Sequence, residues 1–95
     1  MAAKPVMERR AIHYSGRVQG VGFRYAARAT AANYKVSGFV QNLDDGRVRV
    51  IVEGEGGEID RFLADLAQRM DGYIRHTEVH KSSTTGEFEG FRIEH

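Results

Sequence analysis

Apolar and polar residues alternate in the run Arg10-Ala-Ile-His-Tyr-Ser15, which puts Ile12 and Tyr14 on one face and Ala11, His13 and Ser15 on the other. A period of two is that of a half-buried strand. Two more strands are predicted at Val36 to Asn42 and Arg47 to Glu53, joined by Leu43-Asp-Asp-Gly46, in which Asp45-Gly46 is a strong hairpin turn. In the later strand Val48, Val50 and Val52 face one way and Arg47, Arg49, Ile51 and Glu53 the other. One side of the sheet should therefore be covered by helices and the other largely wet.

The pattern changes period twice. From Phe23 to about Asn33 the chain is alanine-rich, and Ala26, Ala27, Thr30, Ala31 and Tyr34 form a stripe of mostly small residues suited to close packing on a sheet. After the break Gly54-Glu-Gly-Gly57, Ile59, Phe62, Leu63, Leu66 and Met70 recur at i, i+3, i+4, i+7 and i+11, an amphipathic helix that stops near Gly72. Tyr73 to His80 reads as a weaker strand around Ile74 and Val79, Ser82 to Gly86 as a loop, and Phe88 to Ile93 as a short last strand. The order β-α-β-β-α-β predicts an α+β ferredoxin-like sandwich, an antiparallel sheet with two helices on one face.

Composition narrows the function. The 95 residues suffice for one domain spanning 1–95, with about 1–8 expected as a loose N-terminus. Lys+Arg 14 against Asp+Glu 13 gives a net charge of +1 with both signs dispersed, which argues against general nucleic-acid or membrane binding. Zero cysteines exclude a disulfide framework, thiolate zinc and a cysteine nucleophile. No apolar run approaches the roughly 18–20 residues of a membrane span and no signal-peptide core precedes Arg10, so a soluble cytoplasmic monomer without cofactor is expected.

Candidate chemistry centres on Gly16-Arg-Val-Gln-Gly-Val-Gly-Phe-Arg24, between the first strand and the first helix. Glycines here can take φ > 0 and let successive backbone N–H groups converge on one point. That point lies at a helix N-terminus, where unpaired amides and the positive dipole end favour an anion. Arg24 in the first turn is a local misfit that a bound anion resolves, and its planar guanidinium can hold two phosphate oxygens. Taken alone, the string also fits an ordinary glycine-rich turn beside a solvated arginine. It is neither a Walker loop nor a full G-x-G-x-x-G, because Tyr25 stands at the third glycine position, and Val18 stands where a cysteine phosphatase would carry its nucleophile.

Asn42 ends the second strand and should reach the same end of the sheet as this loop. Its carboxamide can hold a water through a donor and an acceptor, or it can simply satisfy its own turn. Gly16 to Arg24, taken with Gly38-Phe-Val-Gln-Asn42, Gly46, Val48 and Gly54, closely resembles the acylphosphatases, small enzymes that hydrolyse the carboxyl-phosphate bond of acyl phosphates. The resemblance implies a metal-independent hydrolase releasing inorganic phosphate. It implies that the amides of Gln19, Gly20, Val21, Gly22, Phe23 and Arg24 cradle the phosphate, that Arg24 clamps it, and that Asn42 orients the attacking water. Phe39, Gln41 and Leu43 stand where Trp, Lys and a small hydroxyl residue are more usual in that family.

Other readings are weaker. His76 and His80 would lie about 13 Å apart on an extended segment, too far to share an ion. An RNA-recognition sandwich needs exposed aromatics on its central strands and a basic surface, and Arg47 to Glu53 carries no aromatic. A catalytically silent domain of the same fold, binding a phosphorylated ligand or a protein partner, is the main alternative.

Overall fold

The computed structural model describes residues 6–95, and residues 1–5 of the expected loose terminus lie outside the described residues. Seven elements follow in order: β1 Met7–Gly16, α1 Phe23–Ala31, β2 Val36–Asn42, β3 Val48–Glu55, α2 Gly56–Arg69, β4 Ile74–Ser83 and β5 Phe91–Glu94. They form one five-stranded sheet of order β4-β1-β3-β2-β5 with both helices on one face. The ferredoxin-like sandwich is therefore present. Its sheet is mixed, because β5 runs parallel to β2 while every other pairing is antiparallel.

Alternation placed the core correctly. Ile12, Tyr14, Val40, Val48, Val50 and Val52 meet Ala27, Ala31, Ile59, Phe62, Leu66 and Met70 of the helices, all of them buried. Phe62 reaches across to Phe91 of β5, with ring centroids 5.5 Å apart. Leu63 packs half-buried at the margin of this cluster.

Several boundaries differ from the expectation, and no break separates β3 from α2, since the one ends at Glu55 and the other begins at Gly56. β1 begins at Met7 inside the stretch expected to be loose, because Met7 and Glu8 pair with Glu55 and Gly54 of β3. Glu8 also accepts from Arg10 Nε at 3.0 Å, and Arg10 Nη1 donates to Asp60 of α2 at 2.6 Å. β4 continues through Ser83, so that Ser82 and Ser83 belong to a strand paired with β1 rather than to the loop. The last strand starts at Phe91 because Phe88 turns onto Phe39, with centroids 5.8 Å apart, on the face away from the helices.

That last contact belongs to a larger correction. The open face of the sheet is not largely wet at β3: Ile51 is 5% and Glu53 3% exposed. The segment 84–90 crosses it and closes over the Glu53 carboxylate. Thr84 Oγ1 donates to one carboxylate oxygen at 2.5 Å and the Gly86 amide at 2.9 Å. The Thr85 amide at 3.0 Å, Thr85 Oγ1 at 2.8 Å and Arg9 Nη1 at 3.1 Å donate to the other.

Burial pushes the Glu53 carboxyl up, but the Thr84, Thr85 and Gly86 donors outweigh it and bring it from 4.5 down to about 2. A depressed folded-state value stabilises the fold above the unfolded pKa, and this contribution fades as pH falls from about 4.5 toward about 2. Between pH 6 and pH 3 this one group accounts for about 2 kcal/mol. Glu53→Gln should accordingly lose about 2 kcal/mol less than the parent over that interval in urea titrations. Equal acid losses in the two proteins would show that the carboxylate does not hold the segment.

Candidate active site

Register brings the site together. Tyr14 of β1 lies opposite Val48 of β3, and Val48 lies opposite Asn42 of β2. Residues directly opposite in a sheet share a face, so Asn42 projects on the helix side in the row of Tyr14, two residues before Gly16. The loop 16–22 leaves the sheet from that row and enters α1 at Phe23.

Gly20 has φ 75° and Gly22 φ 82°. A left-handed backbone costs an L-residue roughly 1–2 kcal/mol, and no atom lies within 4 Å of a Cβ built at either position. Glycine is thus required there by conformation rather than by lack of room. Gly22 is the N-cap of α1, with no side-chain cap and no acidic residue in the first turn. The first-turn N–H groups and the helix dipole consequently face the loop uncompensated by any side chain of the helix.

The loop is held from several directions. Val18 is 0% and Phe23 2% exposed, and the Phe23 ring tilts against Tyr14 with centroids 4.9 Å apart. The Arg17 amide donates to Tyr73 O at 2.9 Å. The Gln19 side chain donates to the carbonyls of Leu43 at 2.8 Å and Arg47 at 2.9 Å, which fastens the loop to the turn immediately after Asn42. This role of Gln19 was not visible in the motif, since its partners stand 24 and 28 residues away.

Each hydrogen bond contributes about 0.5–1.5 kcal/mol net. Gln19→Ala should therefore lower stability by about 1–3 kcal/mol and, by loosening the amides, raise the dissociation constant for inorganic phosphate by about tenfold. Unchanged phosphate affinity in a calorimetric titration would mean that the loop keeps its shape without the tie.

A cavity of about 180 Å³ is lined by Val18, Gly20, Gly22, Phe23, Arg24, Tyr25 and Asn42. Arg24 and Asn42, 18 residues apart in sequence, thus border one space. Of the residues expected to cradle an anion, Gly20, Gly22, Phe23 and Arg24 line it. The side chains of Gln19 and Val21 lie elsewhere: Gln19 is turned to the β2–β3 turn, and Val21 packs against the core. Asn42 Oδ1 is buried and has no hydrogen-bond partner among the described residues. Such an acceptor costs about 1–3 kcal/mol until a donor reaches it, and the residue that carries it lines this cavity.

The Arg24 guanidinium lies at the edge, with Nη1 3.2 Å from His95 Nδ1. It also borders a second cavity of about 370 Å³, lined by Arg24, Tyr25, Arg28, Phe91, Arg92, Ile93 and His95. Two of the three departures from the family pattern point elsewhere. Phe39 and Gln41 lie opposite Ile51 and Arg49 on the other face of the sheet, where Gln41 Oε1 accepts from Arg49 at 2.8 Å. Leu43 contributes its carbonyl to Gln19. Among the described residues no three His, Asp or Glu side chains gather closely enough to hold a metal ion, and no helix is long and apolar enough to cross a membrane.

Fold and loop together define a ferredoxin-like α+β protein with a glycine-built, arginine-bordered recess between its first strand and first helix. A model of the acylphosphatase family matches residues 10–93. An acylphosphatase of Syntrophus aciditrophicus is 37% identical over 89 residues, 93% of each chain. One of Roseiflexus sp. is 39% identical over 88 residues, 92% of this chain and 95% of its own. The crystal structure of an acylphosphatase from Bacillus subtilis superposes with a TM-score of 0.85 at 31% identity, covering 93% of this chain and 99% of that one. The chain belongs to the acylphosphatase family, and it is an enzyme of that family.

Proposed function

We propose that the protein hydrolyses the carboxyl-phosphate bond of acyl phosphates, with the phosphoryl group seated in the 180 Å³ recess. The observation that carries this reading is that Asn42, whose buried Oδ1 has no hydrogen-bond partner among the described residues, lines the same recess as Arg24 and the glycine loop. Backbone amides between Gln19 and Arg24 take the non-bridging phosphate oxygens. Arg24 leaves His95 and closes over them as a bidentate, charge-assisted donor. Asn42 accepts a hydrogen bond from a water and aims its oxygen at phosphorus.

Water then attacks in line. A bond forms from the water oxygen to phosphorus, the bond from phosphorus to the acyl oxygen breaks, and its electron pair departs on the carboxylate. The carboxylate is a good leaving group, so no general acid is needed. A phosphate oxygen of the substrate takes the water proton, and the products are carboxylate and inorganic phosphate with no covalent intermediate. Positioning and stabilisation of the equatorial charge supply the catalysis, as is general for phosphoryl transfer. The dispersed charges and the small net value of +1 fit a small-molecule substrate rather than a nucleic acid, and we place the protein in the cytoplasm as a one-domain monomer without cofactor.

The test pairs benzoyl phosphate hydrolysis in the presence of chelator with calorimetric binding of inorganic phosphate. Binding with turnover is expected. Binding without turnover would turn the domain into a silent phosphate receptor, and neither would remove the reading altogether.

A further inference from the structure

The reaction leaves one part of the substrate without a place: the acyl group. The 180 Å³ recess is of a size for the phosphoryl group and its water, and it is bordered by Asn42. The 370 Å³ cavity shares Arg24 and Tyr25 with it and lacks Asn42. An in-line displacement puts the leaving group opposite the water, and the larger cavity adjoins the recess through Arg24 and Tyr25 with Asn42 absent from its lining. Its volume falls in the range that encloses small organic ligands.

The lining is of mixed character. Tyr25, Phe91 and Ile93 supply apolar surface, and Arg24, Arg28 and Arg92 supply charged side chains, with no Asp or Glu in the lining. The three arginines are not equivalent. Arg92 lies opposite Phe39, on the face of the sheet away from the helices, and pairs with Glu94 at 3.3 Å. Arg24 is committed to the phosphoryl group. Arg28 follows Arg24 by four residues, hence on the same side of α1. Its guanidinium lies over the Tyr25 ring, 5.4 Å from the centroid, and forms no ion pair with any described carboxylate. A cation resting over an aromatic ring, with no carboxylate partner among the described residues, is arranged to receive an oxyanion.

We infer that this cavity is the acyl-group subsite and that Arg28 makes the enzyme prefer acyl phosphates whose acyl portion carries a second anionic group. This rests on the acyl-phosphate reading of the neighbouring recess and adds the substrate class to it. The acyl chain lies along Tyr25, Phe91 and Ile93, and its terminal oxyanion meets Arg28. Uncharged acyl phosphates of equal length enter the same cavity and forgo that contact.

The experiment compares kcat/KM for 4-carboxybenzoyl phosphate and 4-carbamoylbenzoyl phosphate, which match in size and differ in charge, in the parent, Arg28→Gln and Arg69→Gln. Comparing the ratio of the two substrates across proteins cancels their intrinsic reactivities. One charge-assisted hydrogen bond corresponds to about a tenfold preference. The ratio should fall by about that factor in Arg28→Gln, through KM of the charged substrate, and stay unchanged in Arg69→Gln, which removes an equal charge on α2. Equal ratios in the parent and Arg28→Gln overturn the subsite while leaving the acyl-phosphate reading intact. An equal drop in Arg69→Gln reduces the effect to net charge and overturns it as well. Failure of the parent to hydrolyse either substrate strikes the underlying reading instead.

Discussion

Arg24→Gln should remove measurable hydrolysis of benzoyl phosphate, a loss of at least about 10³ in kcat/KM, and should weaken inorganic phosphate as well. The two losses have one cause. A guanidinium at this position gives two parallel charge-assisted hydrogen bonds to a phosphoryl group, each stronger than a neutral one, and a carboxamide can give neither the charge nor the fork. The substitution is also clean structurally: Arg24 is half-buried at the mouth of the recess, and its side-chain partner is His95 at the surface. Its loss leaves Phe23 and Val18, the buried anchors on either side of the recess, in place. Urea denaturation should therefore be unaltered while activity disappears. Wild-type phosphate affinity in Arg24→Gln would deny it the clamp role.

The second large effect separates binding from turnover. Asn42→Ala should lower kcat by about 10²–10³ with the dissociation constant of inorganic phosphate nearly unchanged, as expected on removing one preorganised polar group that acts on the reacting atoms. Asn42 Oδ1 makes no hydrogen bond among the described residues, so its removal breaks none there. It even relieves an unsatisfied acceptor, and stability should hold or rise slightly. A protein in which Asn42 served only its own turn would behave in the opposite way, losing stability and keeping most of its turnover. The β2–β3 turn already runs through other groups: Leu43 N to Arg47 O at 2.8 Å, Gly46 N to Leu43 O at 3.1 Å, and Arg47 N to Asp45 Oδ1 at 3.1 Å.

Much of this was legible in the chain itself, and the reason is local. Ile12, Tyr14, Val48, Val50 and Val52 declare their face by a period of two, and Ile59 to Met70 by a period near 3.6, because each element must bury one side. Gly20 and Gly22 declare a left-handed loop because few other residues accept that backbone. Pairing of Tyr14, Val48 and Asn42 follows once the strands and the Asp45-Gly46 turn are fixed.

The parts that escaped depend on contacts between distant segments. Glu53 occupies a polar position in an alternating strand, and nothing near it foretells that Thr84, Thr85 and Gly86 will cover it. Gln19 looks like one more loop residue until the β2–β3 turn arrives beside it. The parallel course of β5 is set by the same crossing segment, which carries the chain over the open face to the free edge of β2. Glu53 is thereby linked to the wall of the 370 Å³ cavity, because the segment it holds runs directly into Phe91 and Ile93.

Hydrolysis of benzoyl phosphate in water enriched in ¹⁸O is the most direct test of a water aimed at phosphorus by Asn42. The label should appear in inorganic phosphate, with none in benzoate, and the rate should be unaffected by chelator. Label in benzoate would mean attack at the carbonyl carbon, a reaction that neither the recess nor Asn42 is arranged to perform, and it would contradict the mechanism at its centre.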